Sequence, residues 1–147
     1  MIRELDIPPL WLALALAVVW AMGQGLGGVA WPAVGLGLIV LGLAVVVGAA
    51  AQMALLRTSF VPRRDPTALV TGGFFAYSRN PIYLGDVLVL LGAVFYWGAW
   101  VALPVVPLFI WWITLRYILD EEARLRAGFG FAFEHWAQRV PRWIWRL

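Results

Sequence analysis

The chain has 147 residues, 63% of them hydrophobic and 13% charged, with a formal net charge of +3 and no cysteine. Its mean hydropathy of +0.85 is far above that of a soluble domain, so it reads as an integral membrane protein built as a single domain over residues 1–147. The absence of cysteine excludes disulfide, zinc-thiolate and thiol-nucleophile chemistry; all eleven basic residues are arginine, and because they flank apolar stretches they read as membrane-surface charges, with no nucleic-acid partner expected.

Residues 7–56 carry no ionisable side chain. At ~1.5 Å per residue they would make a helix of ~75 Å against a hydrocarbon core of ~30 Å, so two spans are expected, at 9–24 and 31–56. The break falls in Gly23-Gln24-Gly25-Leu26-Gly27-Gly28, with Trp31-Pro32 opening the second span. Ile7-Pro8-Pro9 is the entry to the first span; without a basic n-region and a small-residue cleavage site, the segment is expected to be retained. The linker glycines do not make a dinucleotide loop, since no strand precedes them and no acidic residue follows at the required distance. Gly35, Gly37, Gly42 and Gly48 are expected to let helices approach closely in lipid.

A polar loop carrying Arg57, Arg63, Arg64, Asp65, Pro62 and Pro66 follows, and its last part, with Phe74, Phe75 and Tyr77, fits an interfacial segment or a pocket wall. Residues 87–115 are again uncharged. A helical hairpin turning at Trp97-Gly98-Ala99-Trp100 divides them into spans at 81–97 and 100–121, with Pro107 expected to kink the second. After residue 115 come six arginines, four acids and His135. There Leu125, Phe129, Phe133 and Trp136 form one apolar stripe, expected on an amphipathic helix that lies on the bilayer, covers the active site, could bend at Gly128 and Gly130, and ends at Val140-Pro141. The fold class is therefore all-α integral membrane, with four spans, an interfacial C-terminal helix and no Rossmann domain. Positive charge lies in the 57–79 loop and after residue 115, which puts both termini on the cytoplasmic side of the membrane.

Five short motifs stand in register: Thr71-Gly72, Arg79-Asn80-Pro81-Ile82-Tyr83-Leu84-Gly85, Glu121-Glu122-Ala123-Arg124-Leu125, Phe129-Gly130 and Val140-Pro141. Over residues 71–142 the chain resembles the membrane methyltransferase superfamily of isoprenylcysteine carboxyl methyltransferases and phospholipid N-methyltransferases. The resemblance implies S-adenosylmethionine as methyl donor, S-adenosylhomocysteine as product, and a lipophilic acceptor, either an isoprenylcysteine-type carboxylate or a phospholipid amine. It implies a cofactor site drawn from Tyr77, Arg79, Asn80, Pro81, Tyr83, Gly85, Glu121 and Leu125. Two departures touch the acceptor: Asn80 replaces the usual histidine, and Phe133 and Trp136 stand where tyrosines are common. The last residues, Trp143-Ile144-Trp145-Arg146-Leu147, also lack the family's frequent final proline.

Read from their own chemistry, these residues divide by task. Methyl transfer from a sulfonium mainly requires donor and acceptor to be held in line and water excluded, so few catalytic groups are expected. Arg79 could pair with a carboxylate or serve only as a topology charge. Pro81 suits a first helical turn and presents the Asn80 backbone. Tyr83 could pack on the donor or anchor at the interface. Asp86, in an apolar run, is either functional or a solvated helix end. Glu121 and Glu122 point about 100° apart, so only one can face a pocket centre, for a ribose hydroxyl or an ammonium. Glu122, Arg139 and Arg142 are assigned to the reaction, the two arginines orienting an anionic lipid head. No metal and no obligate protein partner are expected, and membrane lipid is. The rival readings are a phospholipid amine N-methyltransferase and a structural or sensory membrane protein on the same scaffold.

Overall fold

The computed structural model describes residues 7–58 and 64–144. Among them it is all-helical: α1 Pro8–Leu26, α2 Pro32–Leu55, α3 Pro81–Trp97, α4 Val105–Ile113, α5 Leu119–Phe129 and α6 Phe131–Arg139, with 3-10 turns at Gly73–Ala76 and Trp100–Ala102 and a π-helical turn at Thr114–Ile118. α1, α2 and the helical run Trp100–Phe129 are long and apolar enough to cross a membrane, and α3 is a shorter apolar helix of 17 residues. Leu14, Val18, Leu36, Val40 and Val47 are exposed on α1 and α2, as expected of helices solvated by lipid.

Proline opens α1, α2 and α3, where its missing amide is one of the four that a helix start leaves unpaired anyway. α3 ends in a Schellman turn: Ala99 N–H donates to Val94 and Gly98 N–H to Phe95, with Gly98 at φ +63°. α2 ends the same way, through Thr58 to Met53 and Arg57 to Ala54, but there the left-handed position at φ 54° is Arg57. Beyond it Thr67 Oγ1 donates to the Arg57 carbonyl at 2.7 Å, and Thr58 Oγ1 to the Ala68 carbonyl at 3.2 Å. Those two bonds close the base of the polar loop, whose Arg63 lies outside the described residues.

Chain contacts group into two units. The first comprises Met1–Ala44 and Gly85–Ile113. In it α2 and α3 run antiparallel through glycines one heptad apart on each helix. A Cβ on Gly35 would stand 2.6 Å from the Gly92 carbonyl oxygen, and one on Gly42 would stand 2.6 Å from that of Gly85. At the Gly35–Gly92 crossing both sides need glycine, since a Cβ on Gly92 would in turn stand 2.7 Å from the Gly35 carbonyl oxygen; close backbone packing of this kind, and not the hydrophobic effect, associates helices in lipid. The two connections of this unit are stitched together: Gly28 N–H donates to Gly98 at 2.7 Å, Trp31 N–H to Phe95 at 2.9 Å, and Trp100 Nε1 to Val29 at 2.9 Å. The Trp31, Phe95 and Trp100 rings meet edge to face around them.

The second unit comprises Val45–Leu84 and Thr114–Leu147. Its core is Ala49, Val70, Phe75, Phe133, Trp136 and Val140, with Leu125 and Phe129 packed against it. Gly48 and Gln52 of α2 hold the Gly73–Ala76 turn. A Cβ on Gly48 would meet the Phe74 ring, while Gln52 donates to the Gly72 carbonyl at 2.7 Å and accepts from Phe74 N–H at 3.2 Å. Gly37, expected at a helix contact, has open space where its Cβ would be.

Three expectations are corrected. The fourth helix does not end near residue 121, because the strong helix formers of 119–129 carry it on to Phe129. The apolar stripe therefore lies on two helices, α5 and α6, separated at Gly130 with φ +49°. Pro107 needs no kink, since α4 begins at Val105 and the proline sits in its first turn.

Candidate functional site

The start of α3, the acidic turn of α5 and the segment after α6 converge in the second unit. Ser78 prepares the helix start: its hydroxyl accepts Asn80 N–H at 3.1 Å, a side-chain turn that lets Pro81 begin α3 with Asn80 extended before it. Pro81, Ser78 and Asn80 are buried. One turn into the helix, the buried Tyr83 donates its hydroxyl to Glu121 at 2.7 Å, and its ring lies 6.4 Å from that of Tyr117.

Glu122 is buried, with 8% of its side chain exposed, and is held by two arginines. Arg142 forks onto it, Nε to Oε1 and Nη2 to Oε2, both at 2.8 Å. Arg79 reaches the same Oε1 through Nη1 at 3.2 Å. Its own Nε is buried and has no hydrogen-bond partner among the described residues. Burial lowers the Arg79 pKa from the usual guanidinium value and Glu122 opposes that, whereas the hydrogen bond to Glu122 raises that of Arg142. The Arg142 carbonyl closes the arrangement, accepting from Ser78 Oγ at 3.2 Å and Asn80 Nδ2 at 2.9 Å, beside a bond from Arg79 N–H to Pro141 at 2.9 Å.

The two adjacent glutamates thus have different partners, as their angular separation on α5 requires. Glu121 faces the Tyr83 hydroxyl and Glu122 the arginines. The structure brings together Arg79, Asn80, Pro81, Tyr83, Glu121, Glu122 and Arg142 of the residues singled out from the sequence. It leaves others elsewhere. Tyr77 is 78% exposed, Arg139 is exposed at the end of α6, Leu125 packs on the core of its unit, and Gly85 belongs to the α2–α3 contact. Asp86 is buried in α3 instead of forming a solvated helix end.

Sequence reasoning assigned no task to Ser78 or Gln52. The serine two residues before Asn-Pro is a turn signal that would have marked the first, and Gln52, a lone amide in the last turns of an apolar helix, announces an unsatisfied loop backbone nearby. Further ties hold α5 and α6. Arg124 pairs with Asp120 at 3.3 Å and Asp65 at 3.5 Å, Arg126 pairs with Glu134 across Gly130, and Trp136 Nε1 donates to the Phe75 carbonyl at 3.1 Å.

Chemically the cluster offers a carboxylate with a hydroxyl beside it, a charged donor with an open valence, and apolar walls. These groups suit a ligand that carries both an anionic and a polar or cationic part. The chain is 34% identical over 82 residues to a Protein-S-isoprenylcysteine O-methyltransferase of Schizosaccharomyces pombe, a match covering 56% of this chain and 35% of that relative. The chain thus spans about a third of the relative's length. No solved structure matches. The family model described as phospholipid methyltransferase matches residues 31–131, which take in α2, the Arg79–Gly85 motif, α3, α4 and the Glu121-Glu122 pair, so the chain belongs to the phospholipid methyltransferase family.

Proposed function

We propose that the protein is an S-adenosylmethionine-dependent methyltransferase of the cytoplasmic membrane, methylating a lipophilic acceptor of the isoprenylcysteine carboxylate type at the cytoplasmic face. The observation that carries this reading is the buried Nε of Arg79, which has no hydrogen-bond partner among the described residues, in a site that also holds the Tyr83–Glu121 pair. A buried charged donor without a partner is expensive, and a ligand carboxylate would relieve it. The residues present fit such a donor molecule: Arg79 would hold its carboxylate, and Glu121 its ammonium or ribose hydroxyls. When bound, S-adenosylmethionine supplies an electrophilic methyl group. The chain's own residues orient and shield. Glu122 keeps Arg79 charged and in place, and Tyr83 fixes the Glu121 carboxylate. The buried Tyr117, whose ring lies beside that of Tyr83, would help to keep water from the reacting pair. A carboxylate acceptor needs no general base, so the absence of a free histidine beside Asn80 is no obstacle.

The family match favours a second acceptor class, a phospholipid amine. Incubating the purified protein in liposomes with radiolabelled S-adenosylmethionine and either a farnesylcysteine derivative or phosphatidylethanolamine separates the two. Base-labile label on the farnesylcysteine supports the ester reading, and label on the amine alone replaces it with the second. No transfer to either, with no binding of S-adenosylhomocysteine, would leave the non-enzymatic scaffold reading.

A further inference from the structure

Arg142 is a third exposed, yet it occupies both oxygens of the buried Glu122. A carboxylate and a guanidinium pair best as a two-pronged fork, and one carboxylate can offer that full fork to only one arginine at a time. Arg79 is the more deeply buried of the two, with 13% of its side chain exposed, but it is left with a single prong through Nη1 and an Nε with no partner among the described residues. We propose that Arg142 is a positioning residue: by taking the fork of Glu122 it keeps Arg79 from collapsing onto that carboxylate and so holds the Arg79 Nε available for the anionic group of the ligand.

This reassigns Arg142 from the acceptor headgroup to the carboxylate it already grips. The backbone of the same residue supports the assignment, because its carbonyl is fixed by Ser78 and Asn80. The guanidinium is thereby delivered to Glu122 from a pinned Cα, and loss of the side chain leaves those backbone bonds intact. The inference rests on the donor-site reading above, since Arg79 is taken to read the carboxylate of the donor.

The test compares the affinity of S-adenosylhomocysteine with that of its decarboxylated analogue, by calorimetry on the full chain in detergent. The affinity ratio isolates the carboxylate contact. A charge-assisted hydrogen bond corresponds to a preference of about ten- to a hundred-fold for the carboxylate ligand in the unsubstituted protein, and Arg79→Gln should abolish it. Arg142→Lys keeps the charge but cannot fork. It should lower the ratio to within about three-fold of unity while leaving the decarboxylated analogue bound as before, because Arg79 then turns both prongs to Glu122. Arg142→Gln, which reaches one oxygen only, gives an independent second variant with the same expected collapse. In the Arg79→Gln background neither change at residue 142 should alter the ratio further.

A ratio unchanged in both residue-142 variants overturns the inference and leaves the donor reading standing. So does an equal loss for both ligands, which would mark a purely structural residue. A ratio near unity in the unsubstituted protein would overturn the assignment of Arg79 to the donor carboxylate, and this inference with it. Failure of the unsubstituted protein to bind S-adenosylhomocysteine at all would overturn the donor reading and this inference with it.

Discussion

Tyr83 donates its hydroxyl to Glu121 at 2.7 Å, from one turn inside α3 to the acidic turn of α5, 38 residues apart in the chain. The contact fixes the orientation of a carboxylate that would otherwise be free to rotate, and it separates Glu121 from its neighbour Glu122, which serves the arginines. Tyr83→Phe keeps the ring and removes the hydroxyl. Because Glu121 then loses a donor in a half-buried place, we expect a stability loss of about 1–2 kcal/mol in detergent. Thermal unfolding followed by circular dichroism measures it; a melting curve unchanged from that of the parent would mean water replaces the hydroxyl at no cost.

Removing the shared carboxylate should matter more. Glu122→Gln leaves Arg79 and Arg142 facing each other without the charge that holds them. The expected loss is about 3 kcal/mol, at the low end for breaking a buried pair, since Arg142 is a third exposed and can turn to water. Chemical unfolding in mild detergent reads this directly, and a change below about 1 kcal/mol would show that the cluster contributes little to the fold.

The glycine contact between α2 and α3 makes a contrast within one helix. Gly42→Val has no room, because its Cβ alone would meet the Gly85 carbonyl and the Val89 backbone, and the helices would have to part, at about 3 kcal/mol or more. Gly37→Ala has open space and a better helix former, so it should be neutral or stabilising by up to about 1 kcal/mol. Equal losses for the two would show that helix propensity, and not backbone approach, selected glycine here.

At the end of α2 the left-handed position is held by Arg57. Arg57→Gly should raise stability by about 1 kcal/mol, because glycine adopts that conformation without the steric cost of a Cβ. A destabilised variant would indicate that the arginine side chain contributes an interaction larger than its strain.

The stitched connections at Gly28 and Gly98 lie together, so reporters fused after residues 28 and 98 should give the same response. Those near residues 65 and 147 should give the opposite one, and the arginine asymmetry assigns the second pair to the cytoplasm. A cytoplasmic signal from the 28 and 98 fusions would invert the proposed face of the reaction.

Local chemistry alone settled much of this molecule. The long uncharged runs required spans, proline and glycine marked where they begin and turn, and the Trp97–Trp100 hairpin stands where its residues put it, since each of these follows from the hydrogen-bonding demands of a short stretch of backbone in lipid. The motif Arg79–Gly85 was legible as a helix start for the same reason. Hydrophobic periodicity also picked out Leu125, Phe129, Phe133 and Trp136 as one surface, and Gly128 and Gly130 marked where the helix carrying them could bend; the structure carries that bend as far as a division at Gly130. What only the tertiary structure decided is the pairing of charges. Glu121 and Glu122 are equivalent in sequence, and an arginine beside an apolar run looks alike whether it ends in water, on a lipid head or on a buried carboxylate. Which of these it does depends on the path by which residues 140–143 return to the start of α3. That path is set by the packing of Phe133, Trp136 and Val140 in the core of the second unit, a relation between distant segments that no local pattern encodes.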